Sequence, residues 1–274
     1  VGGEPLVRND IVECGRKITE RGFLWGMVSN GKLIDAAMMR ELSHAGLRSL
    51  AVDIDGLRDT HNWLRNDNQS FDAVYNALGH IRKAPHLNWD VITCINKRNI
   101  SQLDEIKNML IEAGVKKWRC FTIVPMGRAK YNDEMILSEK QYRYLMDFIV
   151  GTRVEGKIQL SYACEGYLGD YEGLVRNTHF LCSAGLTTAS VLSDGSVSGC
   201  LSIRSNYHQG NIYKDSFWNI WENRFEKYRN HEWMRIGECS DCKIFKYCQG
   251  NGMHLRNDDG NIMFCNYKKL FNSK

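Results

Sequence analysis

The chain has 274 residues, 43% of them apolar and 25% charged, with a net charge of +4. This is the composition of a soluble globular protein with room for one large domain, or a domain and a smaller appendage. The charge is too mild to argue for a nucleic-acid partner, and no apolar stretch approaches the roughly 18 residues of a membrane helix, so neither nucleic-acid binding nor membrane insertion is expected.

From the N-terminus, Asn9 or Asp10 is placed to cap a helix over 10–21, in which Ile11, Val12 and Ile18 share a face before Gly22. FLWGMVS (23–29) is a continuous apolar run, which predicts a strand buried on both faces. Ile34, Met38, Leu42 and Ala45 recur at helical spacing, and LAVDID (50–55) reads as the next strand. Ser70 is placed to cap a helix carrying Phe71, Val74, Leu78 and Ile81, and DVITCIN (90–96) reads as a strand. Ser101 with Asp104 resembles a capping box for a helix ending at Gly114. WRCFTIV (118–124) is a strand, Ser138 with Gln141 opens another helix, and IQLSY (158–162) is a further strand.

Strands alternating with helices of this length imply right-handed βα units and a parallel sheet. The alternation starts on a helix, and the VGGEP before it resembles a loop leaving a strand, so the expected fold is a barrel-like α/β sheet cut open at its N-terminal side. In such a sheet ligands gather at the loops after the strand C-termini. Those loops are Gly2-Gly3-Glu4-Pro5, Ser29-Asn30-Gly31, Asp53-Ile54-Asp55-Gly56, Asn96-Lys97-Arg98-Asn99 and Pro125-Met126-Gly127-Arg128. Each alone reads as a turn; as a set of polar, glycine-bearing loops they point to a small polar ligand.

From residue 166 the alternation stops and cysteines take over. Six of the chain's ten cysteines fall at 182, 200, 239, 242, 248 and 265, while Cys14, Cys94 and Cys120 sit in apolar, regular segments. Clustering with a C-x2-C pair predicts thiolate metal binding in a reducing compartment, here the cytoplasm, and not a disulfide framework. TTASVLSDGSVSG (187–199) reads as a hairpin turning at Asp194-Gly195, which brings Cys182 and Cys200 together. Cys239, Cys242 and Cys248 are spaced to ligate one centre, and spacing leaves zinc and iron–sulfur open. Phe217, Trp218, Ile220, Trp221 and Phe225 read as the apolar face of a short helix, and Glu165 as either a site residue or part of a capped strand end.

Together these features resemble the radical SAM superfamily, in the group with a C-terminal SPASM domain, over essentially the whole chain. GGEP (2–5) is similar to the motif that meets the methionyl amino group of S-adenosylmethionine (SAM). VDIDG (52–56) resembles the fourth-strand S-x-D-G segment, with Asp53 where serine is commoner, and WRCFTIVPMGRA (118–129) the sixth strand and its loop. Cys182-x12-Gly195-x4-Cys200, then Cys239-x2-Cys242-x5-Cys248-x3-Gly252, then Cys265 follow the SPASM pattern except at Gly252, where the family has cysteine. RGFLWGMVSNG, THNWLRN, ACEGYLGDYEG and CQGNGMHLR are similar to a radical SAM/SPASM group encoded beside a lipoprotein, in which glycine at this position is a subfamily trait.

The resemblance implies a partial (β/α)6 TIM-like barrel over 1–165, lacking its first strand or strands, and a small irregular α+β iron–sulfur domain over 166–274. It implies that Cys239, Cys242, Cys248 and Cys265 hold an auxiliary [4Fe–4S] cluster, whereas a second cluster at Cys182 and Cys200 has lost a ligand unless Cys164 or a non-cysteine group fills in. Gly2, Gly3, Glu4 and Pro5 are expected at the methionyl group of SAM, with Ser29, Asn30, Asp53 and Asn96 at ribose or substrate. A 5′-deoxyadenosyl radical from SAM is expected to act on a peptide or protein, with electrons from a flavodoxin or ferredoxin. The SAM-cleaving cluster needs a C-x3-C-x2-C triplet, which the 274 residues do not contain; the chain by itself is expected to bind part of SAM at best and not to cleave it. The contrasting expectation is a protein-binding module, catalytically inactive and stabilised by a four-cysteine zinc or cluster site.

Overall fold

The computed structural model describes residues 3–163 and 165–271. The chain divides into two compact units, one of Gly2–Ile123 with Tyr131–Ala163 and the other of Val124–Lys130 with Cys164–Lys274.

In the first unit, five parallel strands form one sheet in the order of the sequence: β1 (Trp25–Ser29), β2 (Leu47–Asp53), β3 (Asn88–Ile95), β4 (Lys117–Thr122) and β5 (Gln159–Tyr162). The helices between them are α2 (Ala36–His44), α3 (Arg58–Arg65), α4 (Ser70–Ile81), α5 (Leu103–Glu112) and α6 (Glu139–Glu155), with α1 (Ile11–Glu20) ahead of β1. This is the expected α/β architecture of a partial TIM-like barrel. Val52, Val91, Ile95, Trp118 and Leu160 from strands β2 to β5 are fully buried, as are Leu42, Val74, Leu78, Leu110 and Ile149 from the helices. Trp118 keeps its indole N–H satisfied by donating to Thr93 Oγ1 at 2.8 Å, and Thr93 donates onward to the Ile54 carbonyl at 2.7 Å.

Two local expectations are corrected, and one helix is added. The apolar run at 23–29 is not a strand buried on both faces: β1 is the sheet edge and begins only at Trp25, leaving Leu24 82% and Val28 52% exposed. Ser101 does not cap α5, which begins at Leu103 behind a 3₁₀ turn, Ile100–Gln102. Helix α3 was not expected at all, because its buried residues are Thr60, His61 and Asn62 and leave no apolar period to read. By contrast, α6 carries the full capping box: Ser138 Oγ accepts from the Gln141 N–H at 3.3 Å and Gln141 Oε1 from the Ser138 N–H at 2.9 Å.

In the second unit regular structure is sparse. Strands β6 (Ser190–Val191), β7 (Ser196–Ser198) and β8 (Gly210–Asn211) form a small antiparallel sheet, with the expected turn at Asp194-Gly195. Short helices α7 (Phe217–Asn223), α8 (Glu226–Arg229), α9 (Phe245–Cys248) and α10 (Asn266–Phe271) follow. The core is built from Val197, Tyr207, Ile220, Phe225, Tyr228, Met234, Phe245 and Met253. Ile220 buries as expected of an apolar helix face; Phe225 is also buried but lies past the end of α7, and Trp218 is 67% exposed. Among the described residues, no helix is long and apolar enough to cross a membrane.

Candidate functional site

A parallel sheet delivers the ends of all its strands to one edge, and here Glu4 joins the loop after β1 while the loops after β2 and β3 join each other. Glu4 precedes a 3₁₀ turn, Pro5–Val7, which proline at its first position favours. The Glu4 carboxylate accepts from the Leu6 N–H at 3.1 Å, from Ser29 Oγ at 2.8 Å and from the Asn30 N–H at 2.6 Å. Ser29 Oγ in turn accepts from the Gly31 N–H at 3.0 Å. Glu4, Ser29 and Asn30 are therefore one connected cluster across 26 residues of sequence. Gly3 is exposed, with no atom near a Cβ built on it, so its backbone is open to a ligand. Gly2 lies outside the described residues.

Beyond β2, Asp53 and Asp55 share one guanidinium. Arg65 Nη2 lies 2.9 Å from Asp53 and 2.6 Å from Asp55, and its Nε donates to Asp55 at 2.7 Å. Asp55 is fully buried; its other oxygen accepts from the Cys94 N–H at 2.8 Å, which ties the end of β2 to β3. Arg65 itself is held firmly in its charged form by the two carboxylates. Burial pushes the Asp53 carboxyl up to about 6, Arg65 opposing this and Asp55 adding to it. His61 accepts from the Asp55 N–H at Nδ1 and pairs with Ser70 Oγ at Nε2, both at 3.0 Å, and burial lowers its imidazole to about 4. That pairing gives the neutral ring with its proton on Nε2.

Asn96 is fully buried at the end of β3, with its side chain directed into its own loop. It donates to the Cys94 carbonyl at 3.2 Å and accepts from the Arg98 N–H at 2.9 Å, while Asn99 bridges to the Asp55 carbonyl at 2.8 Å. Arg65, Asp55, His61 and Asn99 were not among the residues singled out from sequence. Their only trace there was position, within VDIDG, THNWLRN and the loop after β3.

In the second unit Cys239, Cys242, Cys248 and Cys265 come together. Burial pushes the Cys265 thiol up to about 11, and the neighbouring Cys248 and Cys239 push the same way. The Cys248 thiol is likewise raised, by burial first and then by Cys239 and Cys242. Among the described residues no three His, Cys, Asp or Glu side chains converge as the ligands of a single ion do. Cations sit around the four thiols. Arg256, only 1% exposed, donates to the Cys239 sulfur at 3.4 Å and to the carbonyls of Gly250 and Gly260 at 2.7 and 2.6 Å. Lys268 also feels Cys265 and Cys242 while pairing with Glu238 at 2.9 Å. The donor set and its positive surroundings fit an anionic cluster.

Cys182 and Cys200 form the second group: burial pushes the Tyr228 hydroxyl up, and both cysteines lie near enough to push it the same way. Burial is the main cause of the raised Cys182 thiol, with N–H groups of Met253 and Ala184 opposing it. Cys164 lies outside the described residues. Nearby in sequence, Gly166 has φ +142°, and a Cβ there would come within 2.2 Å of Asn266 Nδ2 and 2.3 Å of Asn251 Oδ1. Asn251 also accepts from the Tyr167 N–H at 2.9 Å, so the segments ACEGYLGDYEG and CQGNGMHLR meet in space. Glu165 is buried, which raises its carboxyl to about 7 against the pull of Arg176.

Residues 1–110 match the family model described as the radical SAM superfamily, and residues 182–243 match the SPASM iron–sulfur cluster-binding domain. The AdoMet-dependent heme synthase of Methanosarcina barkeri is 29% identical over 91% of this chain and 75% of its own. The mycofactocin maturase MftC of Mycobacterium tuberculosis is 27% identical over 92% of this chain and 64% of its own. The structure of native anSMEcpe with bound AdoMet and Cp18Cys peptide shares the fold, with a TM-score of 0.72 at 22% identity, over 99% of this chain and 81% of that one.

Proposed function

Because the chain belongs to the radical SAM superfamily and carries a SPASM domain, we propose that it serves, through SAM binding and an auxiliary cluster, the modification of a peptide or protein by hydrogen abstraction. The observation that carries this reading is the four-thiol group of Cys239, Cys242, Cys248 and Cys265, ringed by Arg256 and Lys268. In this reading residues 1–165 are the barrel part and 166–274 the cluster domain. When bound, the clusters supply single electrons and SAM supplies a 5′-deoxyadenosyl radical.

The chain's own residues bind and orient. Gly2, Gly3, Glu4 and Pro5 receive the methionyl group, whose ammonium suits the Glu4 carboxylate and open glycine backbone. Ser29 and Asn30 line the same cluster, and Asp53, with Asn96, serves ribose or substrate. Asp53 is the member with an acceptor to spare, since its guanidinium partner is shared with Asp55. A flavodoxin or ferredoxin is the proposed electron donor.

A peptide substrate is favoured by the peptide bound in anSMEcpe, in the same fold. A second reading, a porphyrin substrate, is favoured by the higher sequence identity to the heme synthase, 29% against 22%. Anaerobic isolation followed by iron and sulfide analysis tests the cluster domain. Iron and sulfide in equal amounts are expected, while zinc alone without colour would return the chain to a protein-binding module. Titration with hemin, read at its Soret band, separates the substrates. No shift is expected, and saturable micromolar binding would replace the peptide reading with the porphyrin one.

A further inference from the structure

In the SPASM pattern that the sequence resembles, Gly252 takes the place of the cysteine expected to share a site with Cys182 and Cys200. Backbone conformation does not demand glycine there: φ −69° and ψ 135° are open to any residue. What a side chain at 252 would meet is the imidazole of His254. A Cβ built on Gly252 falls 2.7 Å from Cε1 and 2.9 Å from Nδ1 of that ring. The ring thus stands in the volume that a cysteine side chain at 252 would take, and the glycine leaves room for it.

Two further observations give that placement a chemical meaning. Nε2 of His254 is buried and has no hydrogen-bond partner among the described residues. A buried ring nitrogen left unpaired is costly, and a nitrogen with a free lone pair is a metal ligand. The turn that carries it also packs with the cysteine pair: Met253 lies in the core against which Cys182 and Cys200 pack. Cys200 takes the Ser202 N–H at 3.5 Å.

We propose that His254 Nε2 replaces the thiolate absent at position 252 and, with Cys182 and Cys200, ligates a second iron–sulfur cluster. The proposal rests on reading the second unit as a cluster domain. A neutral imidazole in place of a thiolate makes such a cluster less anionic and raises its potential, as histidine ligation does in Rieske centres.

The test uses the full 274-residue chain, reconstituted anaerobically with iron and sulfide. Wild type is expected to hold iron for two clusters. In its reduced form, pulsed EPR should show a strongly coupled nitrogen that changes to the ¹⁵N pattern when histidine alone is labelled. His254→Ala should lose one cluster's iron and that coupling while the outer cluster stays. Gly252→Cys combined with His254→Ala should regain the iron, without the nitrogen coupling and at a lower potential. Unchanged iron in His254→Ala, or no coupled histidine nitrogen in wild type, overturns the proposal. Iron for a single cluster that Cys239→Ala abolishes also overturns it but leaves the cluster domain standing. If no cluster assembles in wild type, the reading of the domain fails as well.

Discussion

In the barrel unit, five parallel strands and the helices beside them bury a continuous apolar core, with Trp118, Tyr142 and Tyr162 enclosed and hydrogen-bonded. In the cysteine-rich unit, among the described residues, α7 is the longest helix at seven residues and β7 the longest strand at three. Its core of Phe225, Tyr228, Phe245 and Met253 is joined by half-buried cysteines and by a buried cation, Arg256. The first unit is held by apolar burial and ladder hydrogen bonds, which need no cofactor. In the proposed reading the second holds its thiols where a cluster would bind, so that its folding and its cofactor would be coupled.

The largest effect expected from this contrast follows cluster removal. Chelation, or Cys239→Ala, should loosen the second unit by several kcal/mol, on the order of what structural metals contribute, and leave the first protected. Hydrogen exchange resolved along the chain checks this; equal loss of protection in β3 and in α9 would break the comparison. Within the barrel, Arg65→Met leaves Asp55 buried and unpaired and should cost about 3–5 kcal/mol in urea unfolding. A cost below about 1 kcal/mol would show that the Asp53–Asp55–Arg65 group is not the anchor of the β2 and β3 ends.

The pH dependence is smaller and has two signs. Asp53 rises from 3.8 to about 6 on folding, so the folded state holds its proton more tightly and its contribution is lost as pH rises through about 6. Asp53→Asn should therefore be about 1–2 kcal/mol more stable than wild type at pH 7.5, a gain that vanishes below about pH 4. His61 falls from 6.5 to about 4, so its contribution is present above 6.5 and lost as pH falls toward 4. Urea midpoints of His61→Gln and wild type should converge as pH drops through that window. Last, Ser138→Ala removes one half of the α6 capping box and should cost about 1 kcal/mol, visible as a lowered urea midpoint with an unchanged slope.

Much of the barrel could be read in advance. Strands at 50–55, 90–96 and 118–124 bury apolar side chains at every step or every second step, and that period survives in the sequence. The edge position of β1 could not be read, because an apolar run looks the same with one neighbour or two. Helix α3 hid for the opposite reason: what it buries is polar and satisfied by partners elsewhere, as His61 is by Ser70 and the Asp55 N–H. At the candidate site, Glu4 and Ser29 could be picked out singly from their loops, but not that one accepts from the other. Gly252 was legible as a departure from the resembled cysteine pattern; the His254 ring beside it was not.

What the sequence determined by itself is whatever repeats or is spaced locally: the alternation of strand and helix, the capping box at Ser138, and the cysteine register from 182 to 265. What only the tertiary structure decided is how charges and donors far apart in the chain are shared. Arg65 divides itself between two aspartates, Arg256 reaches Cys239 across 17 residues, and His254 turns into the space beside Gly252. The physical reason is range. Hydrophobic period and turn chemistry act over a few residues and leave a pattern, whereas a buried polar group is satisfied by whichever partner folding brings within about 3 Å.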